Sequence, residues 1–160
     1  MAGVTIYDDF LVKGGVSEHE AAMQRRAAKL LPAHVPRVLR YEKARRRMKM
    51  ALVSGCTLAY MYGNDCRKIP AWVWAECRRL VRTLYEGGVV YPDITSYNFM
   101  IEPETDKIWI VDFEHCTTRE PGPFAAAGGA AAAAPAPGEQ WFVREFMSGD
   151  SGDVWNEDFA

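Results

Sequence analysis

Apolar and polar positions alternate early in this chain over Val4-Thr5-Ile6-Tyr7, and after Asp8-Asp9 a short apolar run, Phe10-Leu11-Val12, ends at Lys13. A period of two fits strands, so the pattern predicts a hairpin that Gly14-Gly15 ends. Ser17 then stands three residues before Glu20, the spacing of a capping box, and opens a helix to about Leu31 that Pro32 and Pro36 close. Arg37 to Glu42 and Met48 to Val53 read as a second strand pair turning over Lys43 to Arg47. Ser54 to Thr57 is a connector, and Leu58 to Tyr62 is a short helical turn. The clearest helix starts at Pro70, where Val73, Cys77, Leu80, Val81 and Leu84 recur at three and four residues and Gly87-Gly88 supply the stop. Phe99 to Ile101 and Ile108 to Val111 predict a last hairpin around Pro103 to Asp106.

A chain of 160 residues suits one domain, or one plus a tail, and can bury a real core. Apolar residues make up 49% and charged residues 25%, ordinary for a soluble globular protein. Residues 125–138 are almost wholly Ala, Gly and Pro, the composition of a linker. Beyond them Trp141, Phe142, Phe146, Trp155 and Phe159 predict that the tail, 139–160, folds back onto the main body. The expected division is therefore 1–124, then the linker 125–138, then the tail.

A net charge of -2 gives no reason to expect nucleic acid or an anionic membrane as partner. Charge is less even locally: Arg37, Arg40, Lys43, Arg45, Arg46, Arg47 and Lys49 crowd one segment, which is either a solvated strand–turn–strand or a dock for an acidic protein partner. The aromatic tail is a second place where a protein could bind. Cys56, Cys66, Cys77 and Cys116 show no Cys-x-x-Cys pairing and no clustered His, so reduced thiols are expected rather than zinc or disulfides. Asp8 and Asp9 near the start argue against a signal peptide, and Gly128, Gly129, Pro135 and Pro137 interrupt the Ala-rich stretch too often for a membrane span. Together these predict a soluble cytoplasmic or nuclear protein.

The candidate chemistry lies at Asp93, Asn98 and Asp112. An aspartate, an asparagine five residues on, and a second aspartate beyond strand-like sequence match the order in which phosphotransferases hold an attacking hydroxyl and magnesium-bound phosphates. From Phe10 to Cys116 the chain resembles the protein-kinase-like superfamily, which includes eukaryotic-type kinases and the aminoglycoside and choline phosphotransferases. Phe10-Leu-Val-Lys13 resembles the strand with the ATP-binding lysine, Glu20 its helix partner, and Met50 to Thr57 the last small-lobe strand and hinge. Asp112-Phe-Glu114 resembles the variant metal-binding triplet of small-molecule phosphotransferases. Tyr91-Pro-Asp-Ile-Thr together with Trp109-Ile-Val-Asp-Phe-Glu-His115 is also similar to very small kinase-like proteins of large DNA viruses.

The resemblance implies an α+β, reduced bilobal fold: a small antiparallel sheet with one helix (1–54) and a truncated, mainly helical lobe carrying the catalytic hairpin (55–124). It implies ATP and Mg2+, with Lys13 on the phosphates, Glu20 holding that ammonium, and adenine near Leu52, Ser54 and Cys56. Asp93 would position the hydroxyl, while Asn98 and Asp112 supply oxygens to magnesium. A protein hydroxyl is preferred slightly to a small molecule as acceptor. The chain departs from the pattern in having only residues 1–12 before Lys13 and no G-x-G-x-x-G. Tyr91 replaces the usual histidine, Thr95 a basic residue and Glu114 a glycine; beyond Cys116 no activation segment is recognisable. A nucleotide-binding pseudokinase or scaffold is thus the alternative.

Plainer readings stand beside these. Lys13 could be a solvated edge residue, Glu20 could only complete the capping box, and Asp93 and Asn98 could be turn residues. Asp112 could merely end a strand. His115 is expected to be structural, and Tyr97 and Phe113 to be core.

Overall fold

The structure, a computed structural model, describes residues 3–63 and 66–119, without the side chain of Cys66. The expected linker and aromatic tail lie outside the described residues. Nine strands and three helices follow one another over them.

Strands β1 (Val4–Ile6) and β2 (Phe10–Gly14) form the first hairpin, antiparallel, with Val4 opposite Lys13 and Ile6 opposite Leu11. Helix α1 (Glu18–Leu30) starts where the Ser17 hydroxyl accepts the Glu20 backbone N–H at 2.9 Å, and the early Glu18 and Glu20 with the late Lys29 suit the helix dipole. Strands β3 (Val38–Glu42) and β4 (Arg47–Ala51) are joined by a 3-10 turn over Lys43–Arg45 and by Arg46 in the left-handed region, at φ 49°. These strands make one antiparallel sheet in the order β1-β2-β4-β3. Its β4 strand is shorter than the expected Met48 to Val53: pairing stops at Ala51, and Val53 is buried in the connector that follows.

The rest is built around α3 (Ala71–Glu86), whose Val73, Cys77, Leu80, Val81 and Leu84 are all buried, as their helical spacing requires. Strand β5 (Cys56–Thr57) leads into the short α2 (Leu58–Tyr62), capped by the Thr57 hydroxyl. Strands β7 (Phe99–Glu102) and β8 (Lys107–Ile110) pair as the expected hairpin, with β5 on the outer side of β7. Two further two-residue strands, β6 (Val89–Val90) and β9 (Thr117–Thr118), pair with each other. This half of the chain is accordingly richer in strand than the mainly helical lobe expected.

Helix α1 has two apolar faces. Ala21 packs with Val16, Met48 and Met50 under the four-stranded sheet. Met23, Ala27 and Leu31 join the larger core made by α3, Phe99, Ile108 and Ile110. Both ends of α1 are also tied to the far segment of the chain: His19 Nε2 lies 2.6 Å from the Cys116 carbonyl, and beyond the C-terminus His34 Nδ1 lies 2.7 Å from the Ile108 carbonyl. Among the described residues no helix is long and apolar enough to cross a membrane.

Gly55 marks the closest backbone approach in the connector. A β-carbon there would be driven into the Ile101 carbonyl, which belongs to backbone and cannot swing aside. Gly55→Ala is expected to cost roughly 1–3 kcal/mol by overpacking, read as a lower urea midpoint at unchanged slope.

Candidate functional site

Strand alternation and the start of α1 together place Lys13. Met48, its partner across the β2–β4 ladder, is buried against α1, so Lys13 points to the same side. Its ammonium meets Glu20 Oε1 at 2.8 Å and Asp112 Oδ1 at 2.9 Å. The Glu20 backbone N–H goes to Ser17 while its carboxylate goes to Lys13, so this side chain does more than complete a capping box. Glu20 is only 2% exposed and is a charge that needs its partner. Burial works against the Lys13 ammonium, but the hydrogen bonds and charges of Glu20 and Asp112 outweigh it and raise its pKa above 10.5.

The loop before β7 supplies Asp93 and Asn98. Thr95 N–H donates to the Asp93 carbonyl and Asn98 N–H to the Thr95 carbonyl, which folds the loop back on itself. The Asn98 amide nitrogen donates to Asp93 Oδ2 at 2.7 Å and to the Asp93 carbonyl at 3.0 Å. Two acceptors for one NH2 group fix its orientation, and the amide oxygen must then point away from Asp93.

Asp112 follows β8 directly. The Val111 N–H donates to the Asn98 carbonyl at 2.9 Å, continuing the β7–β8 pairing to the site. Asp112 itself is left-handed, at φ 62°, a conformation aspartate tolerates better than most residues, and its Oδ1 accepts the Glu114 N–H at 3.2 Å.

Beneath these polar groups lies a buried aromatic trio. The rings of Tyr91 and Phe113 meet edge to face at 5.4 Å, those of Tyr91 and Phe99 at 6.3 Å. Phe99 directly follows Asn98, Phe113 directly follows Asp112, and Tyr91 precedes Asp93 by two, so packing of three rings sets the spacing of three polar side chains. The Tyr91 hydroxyl donates to the Val111 carbonyl at 2.7 Å. Burial, then the nearby Cys116, Asp93 and Asp112, push the Tyr91 pKa well above 10.0 and keep the hydroxyl a donor. Burial and then Asp112, Asp93 and Glu20 likewise raise the Cys116 thiol to about 12. Tyr91→Phe keeps the ring and strands the Val111 carbonyl; a loss of roughly 1–3 kcal/mol is expected in chemical denaturation.

The structure thus joins Lys13, Glu20 and Asp112 in one hydrogen-bonded cluster and Asp93 with Asn98 in a pair, the two connected through the Val111–Asn98 backbone bond. Leu52, Ser54 and Cys56 are not part of this hydrogen-bonded cluster; they lie on the connector, with Cys56 paired to Ile101. Phe113 is fully buried as expected, but Tyr97 is 56% exposed and is not core: the loop turns it outward between buried Ser96 and Asn98. His115 is exposed. His19 and Cys116 were not anticipated, because a contact between a side chain and a distant carbonyl leaves no periodic signal.

Among the described residues no three His, Cys, Asp or Glu side chains group closely enough to hold a metal ion by themselves. The available set, one carboxylate and one outward amide oxygen, suits magnesium, which takes one or two protein oxygens and completes its shell with phosphates and water.

No family model matches the chain. Over 52 residues it is 29% identical to a 3-deoxy-D-manno-octulosonic acid kinase of Photobacterium profundum, a match covering 32% of this chain and 22% of that protein. The fold superposes on the solved structure of the Cydia pomonella granulovirus kinase PK-1 with a TM-score of 0.53, at 13% identity, covering 68% of this chain and 43% of that one. The chain therefore spans well under half the length of either protein.

Proposed function

We propose that this chain, whose fold is protein-kinase-like, transfers the γ-phosphoryl group of ATP to a hydroxyl acceptor, with a protein serine or threonine preferred slightly over a small molecule. The observation that supports the proposal is that Lys13 is ion-paired to both Glu20 and Asp112, while Asn98, whose carbonyl accepts the N–H of the residue before Asp112, holds the Asp93 carboxylate. Phosphoryl transfer needs positioning and charge stabilisation more than covalent chemistry from the protein. Lys13 would leave Asp112 for the α- and β-phosphates while Glu20 keeps its ammonium in place. Asp93, oriented by the Asn98 amide, would accept the hydroxyl hydrogen and aim the oxygen. Asn98 and Asp112 would hold magnesium, whose charge offsets that of the phosphates. The adenine would lie beside Leu52, Ser54 and Cys56. In this reading residues 1–54 act as the small lobe and 55–124 as a reduced large lobe.

The test is ATP titration with and without magnesium, followed by labelled-phosphate transfer to a serine/threonine-containing protein and to alcohols. Magnesium-dependent thermal stabilisation with transfer supports the proposal; no stabilisation at millimolar ATP refutes it. The Lys13–Asp112 ion pair favours a second reading, a nucleotide-binding pseudokinase, because each charge is already satisfied by the other. Magnesium-dependent stabilisation without turnover on any acceptor would select it.

A further inference from the structure

We infer that the face of the four-stranded sheet turned away from α1 docks an acidic, partly apolar protein segment. Strand parity defines that face. Met48, Met50 and Tyr41 pack on the α1 side, so the residues between them in the ladder, Arg40, Arg47 and Lys49, point the other way. Beside them on the same face Phe10 and Val12 form an apolar stripe on β2, with Val12 opposite Lys49.

Three features mark this face as more than a solvated charge run. Arg40 and Lys49 stand directly opposite in the β3–β4 register, a like-charge pair that works against the sheet. Glu42 is the one carboxylate in segment 37–49, and it is shared between Arg40 at 3.3 Å and Arg45 at 3.7 Å, both 72% exposed. Arg37 and Arg47 have no ion-pair partner among the described residues. An incoming row of carboxylates would relieve the repulsion and pair the spare guanidinium groups bidentately.

The same surface is ill-suited to nucleic acid. Tyr7 stacks on the Phe10 ring at 4.5 Å and the Lys49 ammonium sits 3.4 Å above it, so both ring faces are occupied and a base has no Phe10 platform. An acidic strand with small apolar residues can instead place carboxylates on Arg40 and Arg47 and side chains along Val12. Lys13 faces the opposite side, so docking leaves the nucleotide cluster open.

Fluorescence anisotropy with a labelled peptide of alternating glutamate and leucine, using the full chain, tests this. Saturable binding is expected, weakening at least about tenfold between roughly 0.05 and 0.3 M salt. Arg40→Glu/Arg47→Glu should weaken it at least about tenfold more, while the control Lys29→Glu/Arg82→Glu does not. ATP should leave the peptide affinity unchanged. Thermal denaturation checks folding: Arg40→Glu turns the clash with Lys49 into an opposite-charge pair, while Arg47→Glu sets a carboxylate opposite Glu42, so Arg40→Gln/Arg47→Gln, which adds no like-charge pair, should also lose binding with little change in melting temperature. No binding, equal loss in the control double variant, or tighter binding of an oligothymidylate than of the peptide would each overturn the inference.

Discussion

Asp93→Ala is expected to reduce phosphoryl transfer by about a hundred- to ten-thousand-fold, the range a positioned general base supplies. The carboxylate is held from one side by the Asn98 amide at 2.7 Å, which pre-orients it without neutralising it. In the proposed mechanism its loss removes the group that would aim the acceptor but leaves Lys13, Glu20 and Asp112 in place. Magnesium-dependent ATP binding should therefore survive, and thermal shift with ATP beside labelled-phosphate transfer separates the two effects. Stability should change little, because the Asn98 amide keeps the residue-93 carbonyl as acceptor. Transfer as fast as in the unaltered chain would contradict the assignment of Asp93.

The second large effect concerns folding. Lys13→Met removes the cation from a carboxylate that is 2% exposed, and an uncompensated buried charge costs about 3–5 kcal/mol. Urea denaturation should show that loss, and Lys13→Met/Glu20→Leu should recover most of it by removing the stranded charge as well. If both variants lose equally, packing of the lysine stem rather than charge pairing holds the site.

The pH dependence of the unaltered protein follows from the same groups. The folded Lys13 pKa lies above the ordinary 10.5, so its stabilisation is complete below that value and disappears as pH rises through the folded one. Cys116 acts in the same direction: between 9.0 and about 12 the unfolded thiol loses a proton that the folded one keeps. Stability should decline from about pH 9 upward, and Lys13→Met should remove only the lysine portion of the decline.

Local chemistry made much of this legible from the chain. Ser17 and Glu20 opened α1, the spacing of Val73 to Leu84 marked the buried face of α3, and short apolar runs on either side of Pro103 to Asp106 marked the β7–β8 hairpin. Asp93 and Asn98 stood out by their spacing, and the structure joins the two by a hydrogen bond within one loop. What stayed hidden depends on contacts far apart in sequence or on elements too short for a period. Strands β5, β6 and β9 have two residues each, and two residues cannot show alternation. Tyr97 looked apolar enough for a core, yet in a loop without periodicity only the path of the backbone decides which ring turns inward. The Tyr91 hydroxyl meets its acceptor across a strand, so residue type alone could not assign it a role.

The ties of α1 to the far end of the fold bear on how the protein is made. Asp112 lies 99 positions beyond Lys13, and Cys116 lies 97 beyond His19. At ordinary synthesis rates a gap of that length takes a ribosome roughly 5–20 s to cover. Through the first part of that interval the nascent helix has Met23, Ala27 and Leu31 ready but no α3 to cover them, β8 arrives only at its end, and until then Lys13 has one of its two carboxylate partners. The growing chain is consequently most exposed to sticking to other molecules before its β7–β8 hairpin has been translated.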